Sequence, residues 1–401
     1  MKFALLGADA DALSLATAAA AAGHHVAWVA DAAGDSSFGE PHPLGQWEDL
    51  LDGELVDAVI VGRGAADSQV RCRQLQELVK QGRPVLTSFP LFDSVLSFFE
   101  VDMARGESRS LLRHYNPVLS SAPLDALRAA LAEHDAASVD ALGPIEQVLC
   151  ERPLEDRSQG SVQWHFARDA ELLDVVVGGL DRVGAHGAQA PAGAPDGATQ
   201  AYAGLSVQLS GRRNLPVRWS VLPPHADAGM RLTLVGARGR MTVVFDEAGV
   251  AQRMIRQTTA GQSESPIATQ APAATAIAAL VDAVAAGRDD STWASALHVM
   301  ELTDSIEISL RRGRMIDVHG QQLTEQLAFR GTMAAVGCAL LAVLPPLLLL
   351  IGWAAGLLGI ELADYWPHAL LGLLAAFLGL QVLPKLIYPA GRDDGGASSE
   401  K

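Results

Sequence analysis

The sequence predicts an α/β chain: a doubly wound parallel sheet, then an α+β domain with a mainly antiparallel sheet, then two transmembrane helices. Three observations carry this. Apolar strands alternate with helices over the first 118 residues, strands with one polar face follow to about residue 246, and two long uncharged stretches lie near the far end.

The opening MKFALLGADADALSLATAAAAAGHHVAWVAD reads as a strand at 2–8, a helix at 12–22 and a strand at 25–31. A short helix in WEDLLDGELV and a strand at 57–62 follow, then the amphipathic helix SQVRCRQLQELVKQG and the strand PVLTSF. Such alternation predicts a parallel sheet with its ligand crevice at the strand C-termini. After about Pro117 the pattern changes. GPIEQVLCER, GSVQWHFA, YAGLSVQLSG, LPVRWSVL, MRLTLVGA and GRMTVVFD alternate apolar and polar residues, as half-solvated strands do. Gly, Ala and Pro crowd 184–200 into a loop, and the helical stretches 275–287 and 292–313 close the domain.

From 331 to 360, and again from 365 to 384, there is no Asp, Glu, Lys or Arg. Each stretch holds the roughly 20 apolar residues that span a bilayer. Arg311, Arg312, Arg314 and Arg330 precede the first, Lys385 and Arg392 follow the second, and only Glu361 and Asp364 lie between. The positive-inside rule then places both ends in the cytoplasm, at the cytoplasmic membrane. The predicted domains are 1–118, 119–326, a membrane hairpin at 327–390 and a polar tail at 391–401. The lipid bilayer is thus one predicted partner.

A formal charge of -16 argues against nucleic acid, whose phosphates are held by clustered Lys and Arg. Cys72, Cys150 and Cys338 have no paired spacing, so neither a disulfide framework nor a zinc site is expected. No metal-ligand spacing is evident, and no metal is expected.

VDAVIVG, LVKQGRPVLTSFPL, GPIEQVLCER and WASALHVMELTDSIEISLRRGRMIDV occur in the order of landmarks in the glucose-fructose oxidoreductase, inositol dehydrogenase and MocA (Gfo/Idh/MocA) family, which residues 1–318 resemble. The resemblance implies a Rossmann-like first domain, an α/β substrate domain, NAD or NADP, and a sugar or polyol ligand. Members often form homo-oligomers through the open sheet.

The departures from the family pattern concern chemistry. Its G-x-G-x-x-G turn falls on Gly7, Asp9 and Ala12. A carboxylate at the second glycine fills the space the pyrophosphate needs, and repels it by roughly 3 to 4 kcal/mol at an effective dielectric near 20. Asp11 is placed to cap the helix with its own acid. Asp31 has two readings: an acid for a ribose hydroxyl, favouring NAD over NADP, or a polar residue ending a strand. The candidate cofactor-binding residues are Gly7, Ala8, Asp9 and Asp31, for NAD bound weakly or not at all. If it does not bind, Asp9→Gly with Asp11→Gly is expected to improve binding.

The family's catalytic lysine falls on Phe89, which has no proton to give. Its D-x-x-x-H-x-x-D helix resembles FARDAELLDVVVGG; aligning the last acid with Asp174 puts Glu171 at the histidine, and a two-residue slip makes Asp169 the first acid. Candidate catalytic residues are therefore Glu171, Asp174 and Asp169, within a polar cluster that includes His165 and Arg168. Together these features predict an oxidoreductase homologue whose catalysis is lost and which senses a ligand or docks an unidentified membrane protein. The alternatives are an active NAD-dependent dehydrogenase with unusual acid-base residues, or a chiefly structural module.

Overall fold

Four short, largely buried apolar runs and a fifth, half-buried one form the first sheet, and burial on both faces is typical of parallel pairing. They are β1 (Lys2–Leu6), β2 (His25–Ala30), β3 (Ala58–Val61), β4 (Val85–Ser88) and β5 (Leu112–Tyr115), all parallel, in the order β2-β1-β3-β4-β5. The computed structural model describes residues 1–31, 44–52, 55–132, 141–187, 201–211, 214–224, 229–267 and 271–318.

Helix α1 (Ala10–Ala21) buries Ala12, Leu15, Ala16 and Ala19, a spacing that lays one face on the sheet. Helices α2 (Ser68–Lys80) and α3 (Val95–Ser108) cover the other face, where Cys72, Leu75 and Phe98 meet Val59 and Val61. Asp67 and Ser94 cap these two helices by accepting from Gln69 and Leu96 N–H groups. Two short helices, α4 (Pro117–Ser121) and α5 (Leu124–Ala132), lead out of the first half.

A second sheet has nine strands: β6 (Ile145–Pro153), β7 (Leu180–His186), β8 (Ser206–Gly211), β9 (Val217–Leu222), β10 (Arg231–Gly236), β11 (Gly239–Phe245), β12 (Ala251–Thr258), β13 (Gly261–Pro266) and β14 (Ile316–Asp317). Their order is β13-β12-β11-β10-β6-β9-β8-β7-β14, antiparallel except for the parallel pair β6 and β9. The sheet is therefore mixed, with one parallel seam inside the expected antiparallel pattern. Val148, Cys150, Trp219, Leu232 and Leu234 point to its buried face. The opposite face is polar, and a cavity of about 330 Å3 opens there among Glu151, Arg231, Thr233, Arg240, Arg253 and Gln262.

One predicted strand is corrected. GSVQWHFA belongs to helix α6 (Gln159–Val177), whose N-cap Ser158 accepts from the Ser161 N–H. Val162, Phe166, Ala170 and Leu173 recur at helical spacing and are all buried, so the longer period overrides the short polar-apolar alternation. Helix α7 (Pro272–Ala286) also departs from expectation. Instead of closing the second domain, it returns to the first sheet, where Ile277 and Leu280 join Phe3, Leu5 and Leu15. Helix α8 (Trp293–Arg312) packs between the halves: Trp293 stacks on Phe98 with ring centres 4.9 Å apart and donates to its carbonyl oxygen at 3.1 Å.

The uncharged stretches at 331–360 and 365–384 lie outside the described residues. Among the described residues no helix is long and apolar enough to cross a membrane.

Candidate functional site

The crevice expected at the C-terminal ends of the parallel strands is where α1, the β3 and β4 ends and α6 converge, and the protein's own groups occupy it. Gly7 turns the chain after β1 at φ +80, which suits glycine. A Cβ there would press on the Gly62 carbonyl and on the Arg71 guanidinium. The surviving glycine thus makes room for neighbouring protein atoms. The Gly7 and Ala8 N–H groups donate to the Ala30 and Asp31 carbonyls at 2.8 and 3.1 Å.

Asp9 ties three elements together. One carboxylate oxygen caps α1 through the Ala12 N–H at 2.8 Å; the other accepts from the Arg63 N–H at 2.9 Å and the Ser88 hydroxyl at 2.6 Å. The α1 cap is Asp9, not Asp11. Asp31, held at φ +54, accepts from the Ala65 and Ala66 N–H groups, each at 3.1 Å, and pairs with Arg71. Those three partners offset the left-handed backbone of a non-glycine residue. Arg71 is itself buried, and donates to Gln74 at 2.9 Å. Asp31, for which the family resemblance offers a ribose hydroxyl as one partner, is here the counter-ion of a buried arginine.

Asp11 crosses the crevice to pair with Arg168 of α6. Burial pushes the Asp11 carboxyl above its ordinary pKa, opposed by Arg168 and reinforced by Asp9. Arg168 also donates from Nε to the Phe89 carbonyl oxygen at 2.8 Å, and its guanidinium lies 3.6 Å over the Trp164 ring. Next to it, burial, Arg152 and Arg168 together pull His165 down to about 3, so its imidazole is neutral throughout the physiological range.

The candidate catalytic residues go to three different places. Glu171 faces the first half: its Oε1 meets His114 Nε2 at 2.5 Å, and its Oε2 accepts from Asn116 at 2.9 Å. His114 Nδ1 is 2.8 Å from the Thr292 hydroxyl oxygen, and the centres of the Phe89 and His114 rings are 4.9 Å apart. Asp169 projects from the opposite side of α6, wholly buried, where Arg152 holds it through two donors and Trp219 donates from Nε1 at 2.8 Å. Asp174, one turn beyond Glu171, accepts the Leu180 N–H at 2.6 Å and sits 3.6 Å from His298. The crevice thus receives Glu171 but neither of the other two acids. Among the described residues no group of His, Cys, Asp and Glu is arranged to hold a metal ion.

His298 supplies a pH prediction. Its hydrogen bonds to Asp174 and then Glu301 raise its pKa to about 10, while unfolding returns it to an ordinary value near 6.5. Because the folded value is the higher one, its stabilisation is complete below pH 6.5 and fades as pH rises through 10. For this partly exposed cluster the contribution is about 1 kcal/mol. Urea unfolding of the parent chain at pH 6.5 and 10 should show that loss, and His298→Gln should remove the difference.

No family model and no curated protein matches the sequence. Solved structures do resemble it. An oxidoreductase from Agrobacterium radiobacter, solved with NAD+, L-tartaric acid and magnesium, has a TM-score of 0.60 at 14% identity, over 79% of this chain and 98% of its own. Myo-inositol dehydrogenase from Corynebacterium glutamicum gives 0.59 at 15% identity, over 80% and 99%. The WlbA dehydrogenase from Bordetella pertussis, solved with NADH and UDP-GlcNAcA, gives 0.60 at 16%, also over 80% and 99%. The described part of this chain therefore has the fold of these oxidoreductases, a five-stranded parallel sheet joined to a nine-stranded mixed one.

Proposed function

We propose that this chain is a Gfo/Idh/MocA-type oxidoreductase homologue that has given up nicotinamide chemistry and acts as a ligand-sensing or docking module. Residues 327–390 would hold it at the cytoplasmic membrane as a helical hairpin. The reading rests on one observation above all: Asp9, Asp11 and Asp31, the acids of the first turn and of the β2 end, are each engaged by the protein's own donors. A dinucleotide would have to break these bonds and then face three carboxylates in a site of low dielectric. Phe89 in place of a lysine removes the ammonium as well.

Titration of the detergent-solubilised full chain with NADH, followed by cofactor fluorescence, tests this. We expect no saturation below about 1 mM, a free energy no better than about -4 kcal/mol. A micromolar constant would favour a second reading, an NAD-dependent dehydrogenase acting on a sugar or polyol. One observation supports that reading: His114 and Glu171 form a buried acid-base pair at the helix position where the family resemblance places a catalytic histidine. Under it, a polyol would drive NAD reduction, and Glu171→Gln would abolish turnover.

A further inference from the structure

The Asp11–Arg168 pair has the make-up of an occupied binding site. Arg168 is only 6% exposed, and apart from Asp11 it is held by one nitrogen and by the face of its guanidinium. Nε is held by the Phe89 carbonyl oxygen, part of the backbone, and the guanidinium plane rests on Trp164. Neither contact depends on Asp11. The receptor stays in place when its present partner leaves, the preorganisation that strong anion recognition requires.

Asp11, by contrast, is a poorly held occupant. Its Oδ2 contact with Arg168 is its only hydrogen bond among the described residues, and its side chain keeps 15% of its surface in solvent. Neighbouring Asp9 repels it and cannot move aside, since three donors fix it.

We infer that Arg168, backed by Trp164, is the receptor for a carboxylate-bearing small molecule, and that Asp11 is a built-in competitor which this ligand displaces. A carboxylate is specified because one already lies on the guanidinium, where Oδ2 of Asp11 takes a charge-assisted hydrogen bond. Asp11 belongs to the first half of the molecule and Arg168 to the second, so displacement would remove one of the contacts that join them while the Arg168 bond to the Phe89 carbonyl stays. The inference rests on the ligand-sensing reading of the crevice, and names the ligand class and the contact it acts on.

Trp164 provides the signal. The chain has seven tryptophans, so the Trp164→Phe chain isolates its share of the fluorescence. Succinate titrated into the detergent-solubilised full chain should produce a saturable change that Trp164→Phe lacks. Asp11→Asn should tighten succinate binding about tenfold or more, since it removes the competitor and keeps the shape; Arg168→Gln should abolish the response. A parallel titration with inorganic phosphate at matched ionic strength identifies the source of the anion: a response equal to that of succinate would overturn the carboxylate assignment. The inference also fails if Asp11→Asn binds succinate no better than the parent chain, a variant that should fold whether or not Arg168→Gln does. NADH binding judges the cofactor reading separately: a chain that binds neither NADH nor succinate keeps that reading and loses this one.

Discussion

Replacing Asp169 by alanine is expected to lower the unfolding free energy by about 3 to 5 kcal/mol, because it strands a buried guanidinium. Arg152 is 3% exposed and Asp169 fully enclosed, and the pair is completed by the indole N–H of Trp219. Nearby, Phe166 meets Trp219 edge to face at 5.2 Å, so water has no easy route to the abandoned charge. Denaturant unfolding followed by far-UV circular dichroism measures the loss. Exchanging both partners, Arg152→Met with Asp169→Leu, should recover most of it, since a packed apolar pair has no charge to desolvate. A loss below about 1 kcal/mol for Asp169→Ala would mean that the site admits water.

Asp9→Gly is the second large effect, a loss of about 2 to 3 kcal/mol. Glycine is a fair N-cap in itself, so the cap contributes little to this figure. The loss comes from the Arg63 N–H and the Ser88 hydroxyl, donors on two other strand ends that would be left without their charged acceptor. Asp9→Asn, which keeps an acceptor, should lose less. The same geometry revises an expectation from the sequence. Restoring glycine at positions 9 and 11 should not bring back dinucleotide binding, because Arg71 remains lodged against Gly7 and paired with Asp31. Measurable NADH affinity in the double variant would show that the first turn alone closes the crevice.

The alternation of short apolar strands with helices is sufficient to read four strands of the parallel sheet; the fifth, β5, escapes because LRHY carries two half-buried polar residues and has no apolar run. The site was only half legible. Asp9 and Asp11 mark a turn that departs from phosphate binding, yet nothing in their spacing shows that Asp9 reaches Ser88, 79 residues away. Nothing in the spacing of the eleven histidines singles out His114. The structure places it near the C-terminal end of β5, and such ends line the crevice, but that strand carries no apolar run to announce it. Arg71 lies on the same helical face as Leu75 and Leu78, a cation on an apolar stripe, and that anomaly also stood in the sequence. What pairs with a buried cation depends on distant chain, so Asp31 could not be assigned to it from pattern alone.

The return of α7 to the first sheet has a consequence for biosynthesis. As the chain leaves the ribosome, α1 covers part of the first sheet early, but the remaining face of this cluster must wait for Ile277 and Leu280 before it is covered. More than 250 residues are translated in the interval, at roughly 5 to 20 per second, so that face stays open for on the order of ten seconds or longer. A nascent protein with so late a closing partner is a natural client for holdase chaperones. A stop codon placed before α7 would yield a sticky product rather than a smaller independent domain.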